Sequence, residues 1–333
     1  EGYKDVDGVK IMVFYPEDGV SDIQKLQMAS QEGENVNVCA IKGNFDDAQT
    51  GVKQIFSDTN IAKELDEKGY FLSSANSINW GRLAPQIVYY FSAYCDLMNA
   101  GDITLGDEID ICVPTGNFGN IFAAYLAKKM GLPVRRFICA SNVNNVLTDF
   151  INTGIYDRNR QFHTTISPSM DILISSNLER LLWLIQGEEK TAECMKLLKE
   201  TGKYEVSAEV REKIASEFIG CFASDDETKQ TIAETFEKHS YLIDTHTAVA
   251  LFAAKKNATD IPVVTASTAS PYKFAADVLS ALTGNRDNGN DFFRILRELN
   301  AKTGAAVPRP LAALENKTRR FTTSVGKSKD EMF

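Results

Sequence analysis

Histidine is scarce in this sequence. His163, His239 and His246 are the only three, and no two stand at metal-ligand spacing with a third ligand nearby, so a bound metal is not expected. None of the six cysteines (Cys39, Cys95, Cys112, Cys139, Cys194, Cys221) forms a C-x-x-C pair, which argues against zinc ribbons and dithiol redox motifs. Several sit in apolar runs such as Ile111-Cys112-Val113, and all read as buried, reduced thiols of a cytoplasmic protein. No apolar stretch approaches ~18 residues, so no membrane span is expected. The opening EGYKDVDG has neither the basic start nor the apolar run of a secretory signal. Also missing are a Walker loop, a G-x-G-x-x-G fingerprint, a G-x-S-x-G elbow and an S-x-x-K motif. Positive charge is in deficit: 36 Lys and Arg against 45 Asp and Glu give a net charge of -9. Such a surface repels phosphate backbones, which makes nucleic acid an unexpected partner. A local pocket can still oppose that sign and take a small phosphorylated ligand.

What is present is ample apolar content. Of 333 residues, 44% are hydrophobic, enough for one large or two medium domains. Short β-rich runs alternate with longer helical patterns. Strands are predicted at 9–15, 35–43, 71–74 (FLSS), 109–114 (IDICVP), 133–140 and 261–267. Helices are predicted at 21–33, from Asn44-Phe45-Asp46-Asp47 onward, at about 80–99 and at 119–130. This order argues for a largely parallel sheet covered by helices. From about 176 to 257 the pattern is helical with few strands and reads as an excursion attached to the sheet domain. The boundaries expected are 1–72 for a smaller α/β domain and 73–333 for a larger one. The first residues read as the end of an element whose start lies upstream.

Three segments carry candidate chemistry. Pro114-Thr115-Gly116-Asn117-Phe118-Gly119-Asn120 follows a strand and opens a helix. Two glycines spaced this way permit a tight turn with exposed N–H groups, and the helix start adds positive potential, a combination that suits a phosphate. A plain strand-to-helix turn would use the same glycines. Ser267-Thr268-Ala269-Ser270-Pro271 lies just past the last strand, at the edge where open α/β sheets bind ligands. It also suits an N-cap for the helix that follows. Ser74 to Arg82 (SANSINWGR) gathers Asn76, Ser77, Asn79 and Arg82 at another junction, where arginine could clamp an anion and the amides could hydrogen-bond a substrate. A capping loop with a solvated arginine explains the same residues. His246, in Asp244-Thr245-His246-Thr247, reads as a helix cap rather than a catalytic group.

With these motifs in view, the chain resembles the threonine synthase family along essentially its whole length. The stretches that carry the likeness are PEDGVSDIQKLQM, KGNFDDAQTGVK, SANSINWGRLAPQIVYYF, VPTGNFGNIFAAYLAKKMGLP, SNLERLLW, DTHTAVA and ASTASPYKFAADV. The resemblance implies an α/β enzyme of PLP-dependent fold type II, like the tryptophan synthase β chain, with parallel-sheet domains and a helical excursion. It implies pyridoxal 5'-phosphate (PLP) as cofactor and the conversion of O-phosphohomoserine and water to threonine and phosphate. It assigns the cofactor's phosphate to Gly116, Asn117, Phe118, Gly119 and Asn120, and the pyridine nitrogen to Thr268, whose neutral hydroxyl would leave that nitrogen largely unprotonated. Asn76, Ser77, Asn79 and Arg82 fall on the substrate side. Many family members have histidine where this chain has Ser270.

The resemblance places the lysine that carries PLP as a Schiff base, in a phenylalanine-lysine-aspartate motif, upstream of the residues resembling EGYKDVDGVKIMVFYP. No catalytic residue is therefore assigned within this stretch, which by itself is expected not to turn over. Lys273 reads as structural or as a charge for the substrate. A soluble, cytoplasmic monomer or homodimer acting on a small molecule is expected. The alternatives are another synthase or lyase of the same fold type, or a truncated chain that binds PLP or a phosphorylated amino acid without turnover.

Overall fold

The computed structural model describes residues 2–17, 20, 22–43, 45–285 and 291–333. They form two compact units, Glu1–Ser73 with Gly289–Phe333, and Ser74–Asn288.

The first unit opens with β1 (Ile11–Pro16), α1 (Asp22–Ala29), β2 (Val36–Ile41), α2 (Phe45–Ser57) and α3 (Thr59–Glu67). The two strands run parallel, from Ile11 opposite Val36 to Pro16 opposite Ile41. Asn44, expected in the opening turn of α2, lies outside the described residues. Asp58 caps α3 by accepting from the N–H groups of Asn60 and Ile61.

The second unit contains α4 (Trp80–Leu83), α5 (Ile87–Ala100), β3 (Ile109–Pro114), α6 (Gly119–Lys129), β4 (Val134–Ser141), α7 (Val146–Thr153), β5 (Ile155–Asp157), α8 (Leu178–Gln186), α9 (Glu188–Thr201), β6 (Lys203–Glu205), α10 (Ala208–Glu217), β7 (Phe218–Phe222), α11 (Asp225–His239), α12 (Thr245–Lys256), β8 (Val263–Thr265) and α13 (Ala275–Thr283). Its main sheet has the order β7-β4-β3-β8, and every pairing in it is parallel. Alternate residues of a strand face opposite sides of the sheet, and both sides are covered here. Ile109, Ile111, Val113, Phe137 and Cys139 join one buried cluster, while Cys112, Ile138 and Ala140 join another with Val249, Ala250 and Ala253 of α12.

Three expectations change. Residues 71–74 form no strand: Phe71 is 88% exposed and its apolar neighbours Tyr70 and Leu72 are exposed as well, so the run has no apolar face to pack on. The excursion at 176–257 contains a strand of the main sheet. Phe218, within the stretch read as helical, begins β7, which pairs with β4 from Phe137–Phe218 to Ser141–Phe222. Of the six cysteines, Cys95 is exposed and the other five are buried. No helix among the described residues is long and apolar enough to cross a membrane.

The chain then returns to the first unit with α14 (Phe292–Thr303), α15 (Arg309–Ala312), β9 (Ser324–Val325) and α16 (Lys329–Met332). Residues 289–333 therefore group with the amino-terminal strands, not with the larger unit. Strand β9 continues the first sheet beside β2, through Ala40 opposite Ser324 and Ile41 opposite Val325. Met332 packs with Ile41, Ala48, Ile55 and Ile61.

One charge is buried inside the main sheet. Asp110 of β3 is wholly covered, and Arg135 meets it with two nitrogens at 2.9 and 2.6 Å and Arg136 with one at 2.9 Å. Burial alone would raise this carboxyl, but the hydrogen bonds from the two arginines outweigh it and hold it below the ordinary range. Asp110→Ala leaves two guanidinium groups without their carboxylate and is expected to cost about 3 kcal/mol. Urea unfolding with an unchanged m-value checks this. Because the folded value is lowered, the wild-type contribution is present above the usual carboxylate pKa of about 3.9 and fades as pH falls through the folded value. The alanine variant lacks that part of the acid dependence.

Candidate active site at the carboxyl edge of the main sheet

Strand β3 delivers the chain into the turn 115–118. Thr115 is buried, and its hydroxyl donates to the carbonyl of Val113 at 2.7 Å. A Cβ on Gly116 would lie 2.7 Å from the carbonyl oxygen of Ser169, so only glycine fits there. The Gly116 carbonyl accepts from the Ser175 hydroxyl at 2.7 Å. Asn117 is exposed, while its carbonyl accepts from Asn177 twice, from the backbone N–H at 3.1 Å and from Nδ2 at 2.8 Å.

Phe118 then adopts left-handed geometry, φ 61° and ψ 3°, and is the N-cap of α6. For a bulky L-residue this costs about 1–2 kcal/mol. Burial of the ring, 5.7 Å from Phe218, offsets the cost. No side chain caps α6. The first N–H groups of a helix have no partner within it, so those of Gly119, Asn120 and Ile121 are presented together at the positive end of the helix. A Cβ on Gly119 would approach Asn177 Nδ2 to 3.3 Å and the Ser77 side chain to 3.8 Å. Asn120 is half-buried, and its Oδ1 accepts from the Tyr90 hydroxyl. Burial pushes the Tyr90 phenol well up, so it stays a neutral donor. This arrangement can hold a small anion by backbone N–H groups without a fixed cation.

Strand β8 ends beside it. Cys112 stands opposite Thr265, the last residue of β8, and its carbonyl accepts from the Ala266 N–H at 2.9 Å, two residues before Thr268. Thr268 is exposed. Its neighbour Ser267 bonds the Thr247 hydroxyl at 3.0 Å. Ser270 supplies the cap expected of this segment, accepting from the N–H of Tyr272 at 3.3 Å. The Lys273 amine lies over the Phe274 ring, 5.4 Å from its centre.

The third segment splits in two. Asn76 accepts from the N–H of Ile78, Asn79 accepts from Gly81 and donates to Ser74, and Arg82 donates to the Ala75 carbonyl. These three residues hold their own loop together. Ser77 is the one brought to the turn before α6, with its Oγ 3.4 Å from Asn177 Nδ2.

Several residues of the site escaped the sequence reading. Asn177 is fully buried and holds Asn117 and Ser77 together, yet in sequence it resembles an ordinary cap for α8. It makes no side-chain cap bond, and its Oδ1 is without a partner. The cap of α12 is Asp244, which accepts from the N–H groups of His246 and Thr247; His246 is not the cap. His246 is buried and accepts from the Ser169 N–H at 3.1 Å. Burial alone would raise the Asp244 carboxyl, but bonds from His246 and Thr247 keep it lowered and ionised. Among the described residues no cluster of His, Cys, Asp or Glu could hold a metal ion.

The model of the family described as "Threonine synthase, C-terminal" matches residues 247–331. In the crystal structure of PLP-bound threonine synthase from Brucella melitensis, the equivalent chain is 35% identical and superposes with a TM-score of 0.83 over 98% of this chain and 65% of that one. The chain corresponds to the carboxyl-terminal part of threonine synthases. The curated threonine synthase of Pseudomonas aeruginosa is 40% identical over 85% of this chain and 59% of its own length. Human threonine synthase-like 1 is 45% identical over 82% of this chain and 38% of its own. The chain thus spans roughly two-fifths to three-fifths of the length of the curated family members it matches. The fold is PLP fold type II, α/β with parallel sheets and many helices, as in those solved relatives.

Asn177→Ala removes the side-chain donor to the Asn117 carbonyl and leaves only the backbone N–H of residue 177 to hold it. It is expected to cost about 1–3 kcal/mol in chemical unfolding. A change below a few tenths of a kcal/mol would mean that Asn177 does not hold the turn.

Proposed function

We propose that this chain supplies the cofactor pocket of a PLP-dependent threonine synthase, which converts O-phosphohomoserine and water to L-threonine and phosphate. One observation carries the reading. An uncapped helix start, approached through a glycine that can bear no Cβ, shares a sheet edge with an exposed threonine in a chain of this family.

The residues present fit the cofactor. The N–H groups at Gly119, Asn120 and Ile121 suit a phosphate. Gly116, Asn117 and Phe118 shape the approach to them, and the Asn120 side chain is held aside by Tyr90. Thr268 offers a neutral hydroxyl for the pyridine nitrogen. PLP supplies an electron sink for the bonds that change on the amino acid. Ser77 borders the cradle on the substrate side, and Asn76, Asn79 and Arg82 hold the loop that presents it. Arg82 and Asn79 are the candidates for an anionic end of the substrate. A small-molecule substrate and a cytoplasmic setting complete the reading.

The test is product analysis of the protein that contains this chain. With O-phosphohomoserine it should release phosphate and form threonine in equal amounts. Turnover of O-acetylserine in its place would make it a β-replacement enzyme of the same fold. Tight PLP binding with neither product would make it a binding chain. Gly119→Val places a branched side chain against Asn177 and Ser77 at the phosphate approach. PLP affinity is expected to fall about tenfold or more, read by equilibrium binding. Unchanged affinity would remove this turn from the cofactor site.

A further inference from the structure

The carboxylate of Asp244 does more than cap α12. It is wholly buried, and both of its oxygens accept hydrogen bonds. Oδ1 accepts from the N–H groups of His246 at 2.8 Å and Thr247 at 3.2 Å, and it lies 3.3 Å from His246 Nδ1. Oδ2 accepts from the Thr247 hydroxyl. The two residues it holds point to different ends of the candidate site.

The first branch runs through His246. Its Nε2 accepts from the Ser169 N–H at 3.1 Å. A ring nitrogen that accepts carries no proton, so the imidazole proton sits on Nδ1, facing Asp244 and the Thr245 hydroxyl. Phe274 packs against the ring with centres 4.6 Å apart. Ser169 is the residue whose carbonyl oxygen a Gly116 Cβ would strike. His246 therefore holds, by that N–H, the residue whose carbonyl seats the turn at Gly116.

The second branch runs through Thr247. A hydroxyl has one proton, and that of Thr247 goes to Asp244. The 3.0 Å contact with Ser267 must then have the Ser267 hydroxyl as donor. Ser267 directly precedes Thr268. One buried carboxylate thus reaches both cofactor ends through two residues of a single helical turn.

We infer that Asp244 is a positioning residue that ties the phosphate cradle to the ring end of the pocket, with His246 and Thr247 as its two arms. The inference rests on the cofactor reading above. It requires that the two ends respond to different arms, which a role in stability alone does not.

The test uses the whole chain, with PLP and pyridoxal as probes, since the two differ only in the phosphate. The ratio of their affinities reads the cradle, and the absorbance maximum of bound PLP reads the ring environment. His246→Leu should lower the affinity ratio about tenfold, the worth of one lost hydrogen bond to the supporting peptide. His246→Gln keeps an acceptor and should restore most of the ratio. Thr247→Val should shift the absorbance maximum and leave the ratio alone, and Asp244→Asn should change both. If the wild-type chain binds pyridoxal as tightly as PLP, the cofactor reading falls and the coupling falls with it. If the wild type prefers PLP while His246→Leu and Thr247→Val merely lower the melting temperature, with ratio and spectrum unchanged, the reading stands and the coupling is overturned. Should His246→Leu fail to fold, Thr247→Val decides: an unmoved spectrum overturns the inference.

Discussion

A peptide chain leaving a parallel strand must reverse sharply before a helix can begin, and here that reversal is made at Phe118, in a conformation a phenylalanine rarely adopts. The penalty is of order 1–2 kcal/mol, and it persists because the ring has nowhere else to go. It is packed among Phe218 and its aromatic neighbours Tyr125 and Phe137, beneath the sheet edge. The orientation of α6, the exposure of its first N–H groups and the approach of Ser77 all follow from this turn. A relaxed turn would tip the helix axis and scatter the donors.

The rest of the second unit supports that edge. Hydrophobic residues alternate between two buried clusters, so the sheet is covered on both faces and its strand ends are fixed in register. Beyond those ends lie polar residues that bond one another. Asn142, for example, donates to Thr165, Ser167 and Asp171 just after β4, and Asn144 donates to the carbonyl of His163. A sheet with an apolar body and a polar rim has one place where an anionic ligand meets donors without crossing hydrocarbon.

How far the sequence could reveal this depends on the kind of contact. IDICVP was legible as a strand because an apolar run between turn signals has few alternatives, and it forms β3 over the same six residues. FIGCF was not, because five residues between two strong helical patterns carry too little periodicity to stand apart. The glycine turn was visible from its spacing. The reason Gly116 must be glycine was not, since the crowding comes from Ser169, fifty-three residues away in sequence. Asn177 and His246 were each mistaken for, or hidden as, local caps, because a side chain that bonds a distant backbone leaves no mark on its neighbours. Asn76, Asn79 and Arg82 show the converse: the local reading of a capping loop describes the hydrogen bonds they make.

The chain order also bears on how the protein reaches its structure. The first unit is assembled from both ends of the sequence, and β2 acquires β9 as its neighbour only from residues near the carboxyl end. The contact between Cys39 and Thr323 spans 284 positions. Closing so long a loop in an unfolded chain costs about 5 kcal/mol in entropy. During synthesis from the amino end, the first two strands emerge long before their third partner exists. The inserted unit, by contrast, supplies every strand of its own main sheet. Once it has collapsed, the stretch to be closed becomes a compact body and the entropic obstacle shrinks. The connectivity thus leaves the first sheet without β9 until every strand of the second unit has been made.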